Sequence, residues 1–293
     1  MYRIAVLLTC FNRKEKTLKA LACVHSAHEK VKNLASIHIY LTDDGSTDGT
    51  GEAVKSRYQE VHVLQGNGEL YWAGGMRNSW KEALKGNYDF YLLLNDDTDT
   101  YESFFKELLE THAYCLQTFK QAGIYVGSTI DGITNKISYG GNVFTNRFLG
   151  KYIKVVPNEE TPQECELGNA NIQLVHKDVV KKVGVLSEGF YHGLADFDYT
   201  LKAKRAGIPV LVTPNILGVC TNDHNDPFET LHHLSLKERV KKLYNPIGLD
   251  FRSNLQYMKR NFIYRLPLVF LTGWIKVLFP KFYYNKLYKT RLG

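Results

Sequence analysis

Ile4 to Thr9 is a short, continuous apolar run, the pattern of a strand buried on both faces. A helical pattern over Lys14 to His28 follows, then a second apolar run, Ile37 to Thr42, and a helix over Glu52 to Tyr58. Val61 to Leu64 reads as a third strand, Met76 to Lys85 as a helix and Phe90 to Leu94 as a fourth strand. Strand and helix in alternation predict an α/β fold with a mostly parallel sheet and helices on both faces. Ligands of such sheets bind at the carboxyl ends of the strands, where this chain places three polar loops: 9–12, 43–49 and 95–99.

Beyond a helix over Phe104 to Phe119 the pattern loosens. Lys136 to Phe148 alternates like a hairpin and Asn171 to Val175 like a strand; Lys177 to Val183 and Asp196 to Ala206 carry helix signals, and Ile208 to Thr213 a further strand. This second half is expected to shape one side of the site. Within Phe262 to Phe279, Arg265, Pro267 and Lys276 interrupt the apolar residues, and a bilayer span needs about 20 apolar residues.

The net charge of +7 conceals a division: residues 235–293 carry +11 and the remainder −4. A uniformly basic surface would suit nucleic acid. Here the basic residues share one segment with many aromatics, which favours an anionic membrane surface and argues against nucleic acid. The 44% apolar content supports a folded chain with a sizeable core. The five cysteines are scattered with no Cys-x-x-Cys pair, so neither a disulfide framework nor a zinc knuckle is indicated. With no charged leader or cleavage pattern ahead of the first strand, the expected location is cytoplasmic, peripheral on the inner face of the cell membrane.

Three acids within Asp96, Asp97 and Asp99 repel one another unless a cation intervenes, which points to a hard-metal site rather than a helix cap. The Asp43 to Gly49 loop fails as a calcium loop, because counting from Asp44 puts Lys55 where a bidentate Glu is needed. Gly66 to Arg77 lacks the dinucleotide-binding glycine spacing. Its glycines Gly74 and Gly75 still suit close backbone approach to a diphosphate, to which Arg77 would add charge.

Thr9-Cys10-Phe11-Asn12 at the end of one strand and Asp43-Asp44-Gly45-Ser46-Thr47-Asp48 at the end of the next resemble the family 2 glycosyltransferases. The resemblance covers roughly residues 3–225 and implies a GT-A-type catalytic domain over 1–230, with a helical, basic region over 231–293. It implies an inverting transfer from a nucleotide-sugar donor to a hydroxyl of a glycan or polyprenyl-linked saccharide, in cell-surface polysaccharide biosynthesis. On it, Thr9, Phe11 and Asn12 line the base pocket, Asp44 accepts from the nucleobase and Asp43 holds the loop. Asp97 and Asp99 would hold Mg²⁺ or Mn²⁺ against the diphosphate, with Asp96 adjacent, Asn95 in place of a frequent Asp, and His224 as a further ligand.

Trp72-Ala73-Gly74-Gly75 is similar to a rhamnosyl- or galactofuranosyl-transferring subset. Asp196 falls where the family places its general base, with Ala195 replacing a Glu; the bland reading of Asp196 is a helix N-cap. Two other classes compete. A sugar nucleotidyltransferase shares the architecture but needs an early glycine-rich triphosphate loop, which Thr9 to Arg13 lacks. A non-catalytic sugar- or lipid-binding relative would tolerate Asn95 and Ala195, but not the full set of Asp44, Asp97, Asp99 and Asp196.

Overall fold

The computed structural model describes residues 1–221, 228 and 230–288. By internal contacts the chain divides into two units, Met1–Leu186 with Asp196–Asn222 and Ser187–Ala195 with Asp223–Gly293.

The first unit begins with β1 (Tyr2–Cys10), α1 (Lys14–Glu29), β2 (Ala35–Asp43), α2 (Thr50–Arg57), β3 (His62–Gln65), α3 (Tyr71–Ala83) and β4 (Phe90–Leu94). It continues with β5 (Asp99–Thr100), α4 (Phe104–Phe119), β6 (Ile124–Ile130), β7 (Ile137–Tyr139), β8 (Gly141–Asn146) and β9 (Lys151–Lys154). β10 (Gln163–Glu164), β11 (Leu167–Gly168), β12 (Ile172–His176), α5 (Lys177–Val183), α6 (Ala195–Arg205) and β13 (Val210–Val219) complete it.

The main sheet runs β10-β13-β6-β12-β4-β1-β2-β3. β1, β2, β3 and β4 pair in parallel. β12 lies antiparallel between β4 and β6, so β6 and its parallel neighbour β13 run the same way as the first four strands. The mostly parallel sheet expected from the alternation is therefore present. The continuous apolar runs of β1 and β4 are buried from Ile4 to Leu8 and from Phe90 to Leu94, as strands covered on both faces must be. The core takes Leu21, Val24 and Ala27 from α1 and Phe104, Phe105 and Leu108 from α4.

Three local expectations are corrected. Lys136 to Phe148 is not a hairpin: β7 pairs with β6, whereas β8 pairs with β9 and β11 in a separate three-stranded sheet. α3 starts five residues before Met76, with both glycines inside it. β13 extends past Thr213 to Val219 and pairs with β5, a two-residue strand too short to leave a sequence signal. The carboxyl ends of β1, β2, β3, β4, β6 and β13 and the amino end of β12 all fall on one edge of the sheet, and the polar loops are there.

The second unit contains α7 (Leu236–Tyr244), α8 (Phe251–Asn261) and α9 (Leu266–Leu278). Ser235 and Glu238 form a capping box at the start of α7, and Asp250 caps α8. Leu243, Phe251 and Val277 form its small core. Gly273 lets α9 close on α8, since a Cβ there would lie 2.3 Å from the Phe251 ring. No single described helix is long and apolar enough to cross a membrane. One bent pair, Ile263–Leu278 with Pro280–Tyr288 at 113°, meets that length and composition together.

Candidate active site

The loops after β1 and β2 are fastened to each other by Asn12, which adopts a left-handed φ of 52°. Its amide donates to Ser46 Oγ at 2.9 Å and its side-chain oxygen accepts from the Thr47 amide at 2.7 Å. Asn and Asp tolerate this backbone region better than most residues, which is why a residue of this type serves here. Asp43 accepts the Ser46 amide at 2.9 Å and holds its own loop. Its other oxygen abuts Gly51, where a Cβ would sit only 2.4 Å away. Phe11 stands exposed beside this junction.

Asp44, only 3% exposed, fastens the loop after β3. One oxygen accepts the Gly68 amide at 2.9 Å and the other the Tyr71 amide at 2.8 Å. A Cβ on Gly66 would lie 2.5 Å from the same carboxylate, so glycine is required there. Asp44 thus anchors backbone at the start of α3, and contact with a base would use its remaining lone pairs. The glycines of α3 serve close packing. A Cβ on Gly75 would come within 2.0 Å of buried Thr9 Oγ1, and one on Gly74 within 3.1 Å of Leu70. Arg77 follows one half-turn on, half-buried.

In the acidic loop after β4, Asn95 accepts from the Trp72 indole at 2.8 Å. Asp96 is buried and accepts from Arg13 and from Thr17 Oγ1, each at 3.3 Å. Burial raises its pKa to about 7 although Arg13 opposes the shift. Asp97 accepts a 2.6 Å ionic hydrogen bond from Arg13 and faces Cys220 Sγ at 3.6 Å. Burial first, and Asp97 second, push the Cys220 thiol up to about 12, so it stays protonated and donates. Asp99 pairs instead with Lys19 of α1 at 2.6 Å.

The repulsion expected among these acids is thus offset by Arg13 and Lys19. Among the described residues no group of three or more His, Cys, Asp and Glu converges as a metal cluster. His224 lies outside the described residues.

Asp196 stands half-buried in the first turn of α6. One oxygen accepts the Phe197 amide at 2.8 Å; the other takes Ala170 N at 3.2 Å and Asn169 Nδ2 at 3.4 Å. Burial raises its pKa above the usual carboxylate value and the three donors oppose the rise. It therefore engages both its own helix start and the loop before β12. Tyr152 of β9 lies close enough for Asp196 to help raise the phenol, after burial.

Sequence reasoning passed over Arg13, Tyr152, Asn171 and Cys220. Arg13 had a readable signal, a base at the end of one strand-end loop in a sheet whose neighbouring strand ends in three acids. The Asn171 side chain donates to Cys220 Sγ at 3.3 Å, a contact between residues far apart in the chain that no local pattern announces.

Residues 5–145 match the family described as Glycosyl transferase family 2. Among solved structures, the chain is similar to S. aureus TarS 1–349 at 15% identity and a TM-score of 0.52, covering 98% of this chain and 75% of that one. It is also similar to S. aureus TarS 1–349 in complex with UDP-GlcNAc, at 14% identity and a TM-score of 0.53, over 95% of this chain and 80% of that one. No curated protein matches this chain in sequence.

Proposed function

We propose that this chain, whose residues 5–145 match the family 2 glycosyltransferases, moves a sugar from a nucleotide-diphosphate donor to an acceptor hydroxyl by a single inverting displacement. The observation that carries this reading is the mutual fastening of the loops after β1, β2 and β3, beside the acidic loop after β4. Asn12 ties the first to the second and Asp44 ties the second to the third, while Arg13 reaches from the first to Asp96 and Asp97. Loops fixed this way present a preformed polar rim, and preformed dipoles are what a charged nucleotide needs.

Asp196 is the general base. Its raised pKa keeps it a competent proton acceptor, and its three donors hold the carboxylate in one orientation. Asp97 and Asp99 are the carboxylates that would hold Mg²⁺ or Mn²⁺. Their oxygens suit a hard cation, and their present partners, Arg13 and Lys19, are long, partly exposed side chains that can swing aside. Such an ion neutralises the charge that builds on the departing diphosphate. Arg13, once released, is placed to pair with a donor phosphate.

The donor classes to test first are a uridine nucleotide sugar, as in the TarS complex, and the rhamnosyl and galactofuranosyl donors suggested by Trp72 to Gly75. The acceptor class is a glycan or polyprenyl-linked saccharide. The basic, aromatic second unit supports work at the inner membrane surface.

Calorimetry with UDP-GlcNAc and with deoxythymidine diphosphate-rhamnose tests the metal. One of them is expected to bind with Mn²⁺ present and to lose at least about tenfold in affinity with chelator, the scale of one charge-assisted contact. Affinity unchanged by chelator, or by Asp97→Ala, would remove the cation from the account.

A further inference from the structure

The second unit contains a cavity of about 700 Å³, within the range of pockets that take small organic ligands. Leu255, Leu266 and Phe270 give it apolar walls; Tyr191, Arg252, Gln256 and Lys259 are its polar residues. A pocket that joins two cations to an aliphatic and aromatic wall suits an amphiphile with a phosphate head and a hydrocarbon chain. It does not suit a sugar, which needs many hydroxyl partners, or a neutral lipid, which would leave the cations without an anion.

The described part of the unit is poor in acids. Its acids are Glu188, Glu238 and Asp250. Glu238 serves the capping box with Ser235, and Asp250 accepts the His192, Gly193 and Ser253 amides. Arg252 lies over the Tyr244 ring at 5.7 Å, a contact that leaves its charge available to an anion.

The frame of the pocket is fixed by hydrogen bonds within the unit. Gly189 and Tyr191 belong to the segment Ser187–Ala195, which α8 holds along its length. Ser253 Oγ accepts the Tyr191 amide at 2.9 Å, Asp250 accepts the amides of His192 and Gly193, and Arg260 donates to Ser187 Oγ at 2.9 Å. This segment runs directly into Asp196.

We infer that this pocket binds the isoprenyl phosphate portion of a lipid-linked acceptor, with Arg252 and Lys259 on the phosphate and Leu255, Leu266 and Phe270 along the chain. The inference rests on the transfer reading for its purpose, but the binding it predicts is measurable without turnover.

Farnesyl phosphate below its micellar concentration is the probe, titrated into the full chain by calorimetry beside farnesol and inorganic phosphate. Farnesyl phosphate is expected to bind at least about tenfold more tightly than either half alone. The double substitution Arg252→Gln with Lys259→Gln should weaken it by at least about tenfold, the scale of a lost charge-assisted contact, with the thermal midpoint unmoved. Phe270→Ser, at an exposed position where the fold tolerates change, should weaken it several-fold. Farnesol matching farnesyl phosphate, or both variants binding as the parent does, would overturn the inference. So would displacement of the probe by an equal amount of phosphatidylglycerol in vesicles, which would make this a general lipid surface. Absence of nucleoside diphosphate release by the parent protein would count against the transfer reading alone.

Discussion

The strand-end loops of the first unit and the helices of the second treat polarity in opposite ways. In the loops nearly every charged or amide group that the chain buries finds a partner within it: Asp43 with Ser46, Asp44 with Gly68 and Tyr71, Asp96 and Asp97 with Arg13, Asp196 with Ala170 and Phe197. In the second unit Leu268 and Leu271 are each 58% exposed on α9, and the basic residues far outnumber the acids. A closed hydrogen-bond network fixes atoms to fractions of an ångström, which suits a small polar donor and its chemistry. A basic and apolar surface would give affinity without fine geometry, which is what the proposed contact with a headgroup layer requires. Hydrogen-bonded precision is therefore concentrated in the first unit, and adhesion is the role we propose for the second.

Three variants would break that division, taken from the largest expected effect to the smallest. Asp196→Asn should keep donor affinity while turnover falls by about two to four decades, the usual contribution of a positioned base. The pH profile gives the sign. A base acts only when ionised, and burial raises the pKa of Asp196, so parental turnover should fall as pH drops through a value above that of an ordinary Asp. The Asn variant should lack that limb, and a variant that retains it would move the titration to another group.

Asp44→Ala leaves the Gly68 and Tyr71 amides without their acceptor. It is expected to cost about 2–4 kcal/mol in urea unfolding, since each buried unsatisfied donor costs about 1–3 kcal/mol. A loss below about 0.5 kcal/mol, within the range of ordinary surface changes, would show that the loop after β3 is held by something else.

In the second unit the paired change Leu268→Ser with Leu271→Ser should leave stability within about 0.5 kcal/mol, because both side chains are exposed. It should nevertheless reduce co-sedimentation with phosphatidylglycerol vesicles several-fold. Added salt should weaken the remaining binding, since each basic residue near an anionic surface contributes about 1 kcal/mol that screening removes. Unchanged sedimentation would place the adhesive surface elsewhere.

The sequence disclosed the parallel half of the sheet because its strands are apolar on both faces and its loops carry the acids and glycines; β1, β2 and β4 need no tertiary information to be seen. It misplaced the start of α3 because Gly74 and Gly75 are poor helix formers. Their helical state is imposed by contact with Thr9 and by the Asp44 carboxylate at Tyr71. The β7 and β8 strands alternate as a hairpin would, yet find different partners, since alternation reports a half-buried strand and not its neighbour.

At the site, the carboxylates were legible, whereas their pairing with particular cations was not. Asp96, Asp97 and Asp99 are adjacent in the chain, whereas Arg13 and Lys19 reach them only through the fold. The basic character of the second unit was visible as a charge asymmetry. Within it, the hydrogen bonds that join Ser187–Ala195 to α8 link residues far apart in the chain and left no trace in composition.

The central claim, sugar transfer from a nucleotide-diphosphate donor, is tested most directly by nucleoside diphosphate release. A panel of uridine, guanosine and deoxythymidine nucleotide sugars would be incubated with Mn²⁺ and a phospholipid vesicle suspension carrying lipid-linked saccharide. The account predicts that the parent protein releases diphosphate from one donor class, that chelator stops it, and that Asp97→Ala and Asp196→Asn each lower it by about two decades or more. Release that proceeds equally in both variants, or none from any donor with the protein folded and acceptor present, would contradict it.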